Sequence, residues 1–263
     1  MSSSPEAPPP ADNEAPEQTE SEPLLGGPGD ATQKPDAPIF SNLYLGTGWL
    51  AQAGGVLLLA IIWASVFTNP TLPLVSPHPL LQSLGVYTVL QAILILQPTT
   101  TPRTKQAGQR AHVFLHLLSF LLFLTGTTII ELNKHVNHLA HLHSPHAYLG
   151  SLSILFLALQ YLFGLATWLT PLSRFIFRTE ARAKSLWRYH RASGYVALVL
   201  LLATVATAVE TDYVRGVLGI RLWAVLVAEG LIVVGVVPRV HLRKFRVGGG
   251  VGVGVTAVGG SQS

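Results

Sequence analysis

Residues 144–164 read SPHAYLGSLSILFLALQYLFG. The run has no acidic or basic side chain and matches the ~20 apolar residues a helix needs to cross a bilayer. Its one histidine, His146, stands directly behind Pro145, a residue suited to the start of a helix. A histidine at the mouth of such a span is either a hydrogen-bonded structural residue or a ligand. The seven residues before this run add His138, His141 and His143. Whether the stretch is a metal-binding tract, or His146 alone has a role fixed by a larger pattern, depends on the rest of the chain.

Of the 263 residues, 49% are hydrophobic and only 11% charged, against roughly a quarter charged in soluble domains. The charges are segregated. Uncharged or nearly uncharged windows fall at about 43–67, 78–97, 111–131, 146–170, 190–210 and 217–237, which predicts an all-α membrane protein with six transmembrane helices. The net charge of +4 shows no interleaving of aromatic and basic residues, so nucleic acid is not an expected partner. The chain has no cysteine, which excludes disulfides, thiolate metal sites and thiol catalysis.

Residues 1–42 are rich in Pro, Glu, Ser and Ala and are predicted to form a disordered tail, because that composition cannot bury a core. The acidic start and the late first apolar run do not fit a signal peptide. Within the tail, Glu20-Ser21-Glu22-Pro23-Leu24-Leu25 resembles an acidic dileucine sorting signal for vacuolar or endolysosomal membranes. Residues 247–263, rich in Gly and Val, are predicted to be disordered as well, leaving 43–246 as the membrane domain.

Basic residues collect after every second span. Arg103, Lys105 and Arg110 follow span 2; Arg174, Arg178, Arg182, Lys184 and Arg188 follow span 4; Arg239, Arg243, Lys244 and Arg246 follow span 6. The other loops hold only Lys134 and Arg215, with Arg221 near the start of span 6. Positive loops stay inside, so both termini are expected on the cytoplasmic side. Span 6 is interrupted by Arg221 and Glu229. Glu229 reads either as a functional intramembrane carboxyl or as a protein-facing one with a hydrogen-bond partner.

His78, His112, His146 and His190 open spans 2, 3, 4 and 5, each expected in the first turn. Consecutive spans are antiparallel, so His78 and His146 share the outer side, and His112 and His190 the inner side. Below them on the same faces lie small residues: Gly85 and Ala92, Ser119 and Gly126, Gly150, and Gly194. Small residues in membrane helices serve close packing; beneath all four histidines they also suggest room for something flat between the helices. A haem fits, with an imidazole on each side of the iron and no position left for oxygen, as in electron carriers. Spans 2–5 then form a four-helix haem-binding core flanked by spans 1 and 6. On this reading His146 is the ligand, and His138, His141 and His143 form an outer loop that caps the helix, binds a divalent metal or lines a docking site. Gln160, fourteen residues after His146 and expected near mid-membrane, is a buried amide that bonds either between the haem sites or between helices.

These strings resemble the cytochrome b561 family of six-span, two-haem transmembrane electron carriers. The resemblance covers about 43–237 and rests on His78-Pro79-Leu80-Leu81 with Gly85, and Arg110-Ala111-His112 with Ser119-Phe120 and Gly126. It continues in Ser144-Pro145-His146-Ala147-Tyr148-Leu149-Gly150 with Gln160 and Gly164, and in His190-Arg191-Ala192-Ser193-Gly194-Tyr195. Asn133-Lys134 ahead of the histidine-rich loop is similar to the small eukaryotic domain-containing subgroup. The resemblance implies two b haems, with His78 and His146 holding the outer one and His112 and His190 the inner one. It also selects His112 over the neighbouring His116. It implies an ascorbate-dependent oxidoreductase, in which cytosolic ascorbate or a similar reductant gives electrons that leave to monodehydroascorbate or ferric iron. Arg110 and Lys184 match positions that bind the ascorbate anion in some members, and both also satisfy the positive-inside rule. Expected surroundings are membrane lipid and a second copy of the chain in a homodimer. A different class, a membrane metal-ion transporter using the His-rich loop, requires acidic or histidine pairs deep in the spans; only Glu229 qualifies.

Overall fold

The computed structural model describes residues 31–34 and 36–241, without the side chains at 170, 173, 180, 181, 183 and 184. Residues 1–30, with the dileucine-like stretch, and the whole of 247–263 lie outside the described residues, as do Arg243, Lys244 and Arg246. All regular structure described is helical: α1 (Gly48–Thr68), α2 (Pro77–Leu96), α3 (Pro102–Val136), α4 (Pro145–Trp168), α5 (Thr170–Phe177), α6 (Glu180–Ala208) and α7 (Leu222–Val236). Six helical stretches are long and apolar enough to cross a membrane, the sixth being α7 with the turn that follows it, Leu222–Arg239; α5 is the short exception, so spans 5 and 6 are α6 and α7. The helix ends follow from local chemistry. Proline occupies the first turn of α2, α3 and α4, where its missing N–H costs nothing. Thr101 and Thr104 close a capping box at α3, and the Ser144 hydroxyl accepts the Ala147 N–H at 3.2 Å to start α4. Gly219, at φ +61°, ends the turn before α7, and Arg221 stands just outside α7 as its cap.

The expectation that all four histidines lie in a first turn holds for two of them. His78 and His146 each follow the first residue of their helix, but α3 starts at Pro102 and α6 at Glu180, three turns ahead of His112 and His190. Charge marks where the bilayer begins, not where a helix begins. Arg103, Lys105 and Arg110 are good helix formers, so once Thr101 caps the chain the helix runs on. With 35 residues, α3 is about 52 Å long and outruns a hydrocarbon core of ~30 Å.

The helices associate as three pairs: α2 along α3, α4 along α6, and α1 along α7. The α2–α3 and α4–α6 pairs meet each other only lightly, leaving a seam between them. Leucines such as Leu117, Leu121, Leu155, Leu159 and Leu162 point outward, as a lipid-facing surface requires. Contact between α1 and α7 is close because glycines allow it. A methyl on Gly54 would lie 2.5 Å from the Ala228 carbonyl, and one on Gly235 would overlap the Ala51 backbone; the Thr47 hydroxyl donates to the Gly235 carbonyl at 2.8 Å. In membranes, close backbone approach supplies much of helix association.

Packed chain begins before the first span. The Gln33 N–H donates to the Pro98 carbonyl at 3.0 Å, and the Asn42 amide donates to Gln33 Oε1 at 3.0 Å and to the Ile95 carbonyl at 2.8 Å. This polar stretch therefore docks by hydrogen bonds rather than by apolar burial, which is why composition groups it with the tail. Arg239 holds the same place. It is only 1% exposed, and its guanidinium donates to the carbonyls of Asn42 at 2.6 Å and Leu94 at 3.0 Å. A cation at the C-terminal end of α2 also meets the negative end of the helix dipole. Arg239, counted from sequence as a loop charge, is a buried anchor.

Candidate functional site

Antiparallel helices across the seam bring the histidines together at two levels. At one level, His78 on α2 and His146 on α4 face each other with ring centroids 6.1 Å apart at 82°. At the other, His112 on α3 packs on His116, whose ring lies 5.6 Å from Tyr161 of α4, one turn from the Gly164 that meets the His190 ring of α6. Both pairings link the α2–α3 pair to the α4–α6 pair.

The rings are held by carbonyls in a repeated way. His78 Nδ1 lies 3.0 Å from the Gly126 carbonyl, and His112 Nδ1 lies 2.9 Å from the Ala92 carbonyl. Ala92 is fourteen residues after His78, and Gly126 fourteen after His112. Each helix of the α2–α3 pair thus carries a histidine and, about 21 Å further along, the carbonyl that holds its neighbour's histidine. His146 Nδ1 continues the pattern at 2.9 Å from the carbonyl of Thr204, fourteen residues after His190. A carbonyl can only accept, so Nδ1 carries the proton and Nε2 remains the free lone pair. That is the arrangement in which backbone oxygens orient metal-binding imidazoles. Metal–imidazole bonds of about 2 Å would put two rings that share one metal roughly 6 Å apart, centre to centre, so the His78–His146 spacing suits a metal bound between them.

The small residues divide into two kinds. Gly85 and Gly126 make no room for a ligand: an added methyl would meet the Phe123 ring at 2.7 Å and the Gln82 amide at 2.8 Å. They bring α2 and α3 into contact, as packing glycines do. Around Gly194 there is open space, and Gly150 meets only Thr204 at 3.6 Å. Ser119 is buried and shares its hydroxyl with Tyr161 at 3.0 Å while donating to the His116 carbonyl at 2.9 Å. His116 packs edge-on against His112, with centroids 4.3 Å apart, and its Nδ1 has no partner. Phe163 stacks on His190 at 5.9 Å and 23°. Gly164, one turn beyond Gln160, lies against the same ring, its added methyl falling 3.0 Å from His190 Cε1. Gln160 therefore sits at the level of His112 and His190 rather than at mid-membrane, because fourteen residues of helix rise about 21 Å from His146, past the middle of a ~30 Å core.

The outer histidines do not converge. His138, at φ +53°, terminates α3 in the left-handed region, and His143 bonds the Ala140 carbonyl at 3.0 Å. His141 Nδ1 lies 2.6 Å from Glu131 Oε2, while Lys134 holds Glu131 Oε1 at 2.9 Å. Among the described residues no three His, Asp or Glu side chains could together hold a metal ion. Glu131 is a site-adjacent residue that sequence reading passed over, although its three-residue spacing from Lys134 is the usual helix pairing. Arg110 is exposed near the His112 level, and the Lys184 side chain lies outside the described residues. Glu229 is 7% exposed and its Oε1 has no partner.

The family model for eukaryotic cytochrome b561 matches residues 77–215, the segment that contains all four histidines. A bovine (Bos taurus) protein named transmembrane reductase CYB561D2 is 30% identical over 207 residues, covering 75% of this chain and 90% of the relative. Its mouse (Mus musculus) counterpart is 28% identical over 220 residues, covering 81% and 96%. A bovine lysosomal membrane ascorbate-dependent ferrireductase, CYB561A3, is 25% identical over 136 residues, about half of each chain. With six helices fit to span a membrane, imidazoles free at Nε2 and a match over the whole four-histidine segment, the chain belongs to the cytochrome b561 family of haem b-binding, multi-pass membrane oxidoreductases that transfer electrons across the bilayer.

Proposed function

We propose that His78 with His146, and His112 with His190, hold two b haems, and that the chain carries electrons from a cytosolic donor of the ascorbate type to monodehydroascorbate or ferric iron on the other side. The observation that carries this reading is the paired carbonyl pattern, which fixes one proton on Nδ1 and spaces the two histidine levels about 21 Å apart on shared helices. Each haem, when bound, supplies a one-electron iron couple. The chain's own part is positional. His78 with His146, and His112 with His190, would hold the two irons, and iron held by two imidazoles would have no site left for oxygen. Phe120, Phe123, Leu124, Ile154, Leu157 and Tyr161 line a small apolar cavity between α3 and α4. Donor and acceptor each change by one electron, ascorbate to monodehydroascorbate on one side and ferric to ferrous iron on the other.

The direction is supported by charge. Arg103, Lys105, Arg110, Arg174, Arg178, Arg182 and Arg188 all belong to the end of the bundle near His112 and His190, which favours a cytosolic orientation of that end and of both termini. An anion approaching it is drawn by a field that salt screens. Arg110, two residues from His112, and Lys184 are the proposed contacts. An endolysosomal membrane is supported by the lysosomal relative's name and by the stretch at residues 20–25.

In oriented vesicles, ascorbate on the Arg110 side is expected to reduce both haems and then ferric iron trapped on the other side. Arg110→Glu is expected to slow reduction several-fold at low ionic strength with both haems retained, and the defect shrinks as salt rises. An unchanged rate at low salt would make Arg110 a topology residue only. Replacing His138, His141 and His143 together with Gln is expected to leave both haem bands intact and to slow delivery to an external ferric acceptor. Loss of the haem near His78 in that triple variant would mean the ligand was chosen wrongly.

A further inference from the structure

The carbonyl pattern has three of its four bonds. In α2 and α3 it is reciprocal, His78 to Gly126 and His112 to Ala92. In α4 and α6 one half is present, His146 to Thr204. The same fourteen-residue offset from His146 assigns the fourth acceptor to residue 160, and residue 160 is Gln. His190 Nδ1 and Gln160 Oε1 are both buried without a partner. They are also neighbours in the fold, since the His190 ring lies on Gly164, one helical turn from Gln160 on the same face of α4. A buried donor and a buried acceptor left apart each lose their hydration with nothing to replace it, and one bond between them removes both costs.

From this we infer that Gln160 is the positioning residue of His190, its side-chain Oε1 accepting the Nδ1–H so that Nε2 is presented to the inner haem. This rests on His190 being a haem ligand, as proposed above. The bond sets this ring apart from the other three. They are held by backbone carbonyls, which no substitution removes, whereas His190 depends on a side chain. Gly164 keeps that contact close, because a methyl there would fall 3.0 Å from His190 Cε1 and the ring would have to give by a few tenths of an ångström. A hydrogen bond at Nδ1 makes the imidazole a stronger donor to ferric iron, so its loss raises the potential of that haem alone.

The test is a redox titration of purified protein, following the two haem components by absorption and low-temperature EPR. In Gln160→Leu, of similar size but without an acceptor, the inner component is expected to show a roughly tenfold higher reduced-to-oxidised ratio at fixed ambient potential, about 59 mV for one electron. Its EPR signal shifts as well, while the outer component stays fixed. Gln160→Glu keeps an acceptor and is expected to hold the inner potential at or below the wild-type value. If Gln160→Leu leaves the inner component unmoved, the assignment is overturned. If the Leu variant loses that haem, the Glu variant decides: retention at or below the wild-type potential supports the assignment, and loss or a raised potential overturns it. His190→Ala separates this from the underlying reading, because an inner component that survives His190→Ala refutes the ligand itself whatever Gln160 does.

Discussion

His146→Ala is expected to remove one of two reducible low-spin haem components and leave the other at full amplitude, and His78→Ala is expected to remove the same one. The two rings face each other at 6.1 Å, so either substitution would leave one imidazole where two would hold the haem. His112→Ala and His190→Ala are expected to remove the opposite component. The effect is all-or-none per site, because a bis-imidazole site that loses one ligand exchanges its low-spin spectrum for an open or empty one. His116, 4.3 Å from His112, is the built-in control. His116→Ala is expected to keep both components, since the place on α3 at this level is taken by His112, the ring whose Nδ1 the Ala92 carbonyl holds. Titrations of the four single variants followed at the reduced bands check this. If His78→Ala and His112→Ala erased the same component, the two-level arrangement would be wrong.

Gly235→Val is expected to be the most damaging change outside the histidine core. Its side chain would occupy the backbone of Ala51 on α1, so α1 and α7 must separate along a contact that depends on close approach. Overpacking of flexible side chains costs about 1–3 kcal/mol, and a backbone clash exceeds that. The measurement is loss of folded protein on heating in detergent, where a drop of several degrees or more is expected. Gly230→Ala, on the same helix with nothing within 4 Å of the added methyl, is expected to match wild type or exceed it slightly, because alanine favours the helix. Haem content per folded molecule stays constant in both, since neither helix carries a proposed ligand. Equal heat resistance for Gly235→Val and wild type would overturn the α1–α7 packing.

Most of this fold is legible in one dimension because the bilayer imposes a length. Apolar windows place α1, α2, α4 and α7 within a few residues. They misplace the beginnings of α3 and α6, because the charged residues that end a span do not end a helix that Thr101 or Thr179 caps three turns earlier. The pairing of His78 with His146 follows from helix direction alone. What tethers those rings does not, since the acceptors are backbone carbonyls of Gly126, Ala92 and Thr204 and carry no side-chain signature. The seven- and fourteen-residue spacings are open to view, but small residues at those positions invite a reading as ligand space, whereas Gly85 and Gly126 serve helix contact. Arg239 was hidden for a related reason. A guanidinium that binds carbonyls needs no acidic partner in the sequence, so nothing distinguishes it from a loop charge until the N-terminal stretch folds over it.

The central claim is that one chain holds two haems at two levels, and a pyridine haemochrome assay against protein concentration tests it most directly. The expected result is two haem b per chain, falling to one in His78→Ala and in His112→Ala and to none in the double variant. One haem or none in the wild-type protein would contradict the account.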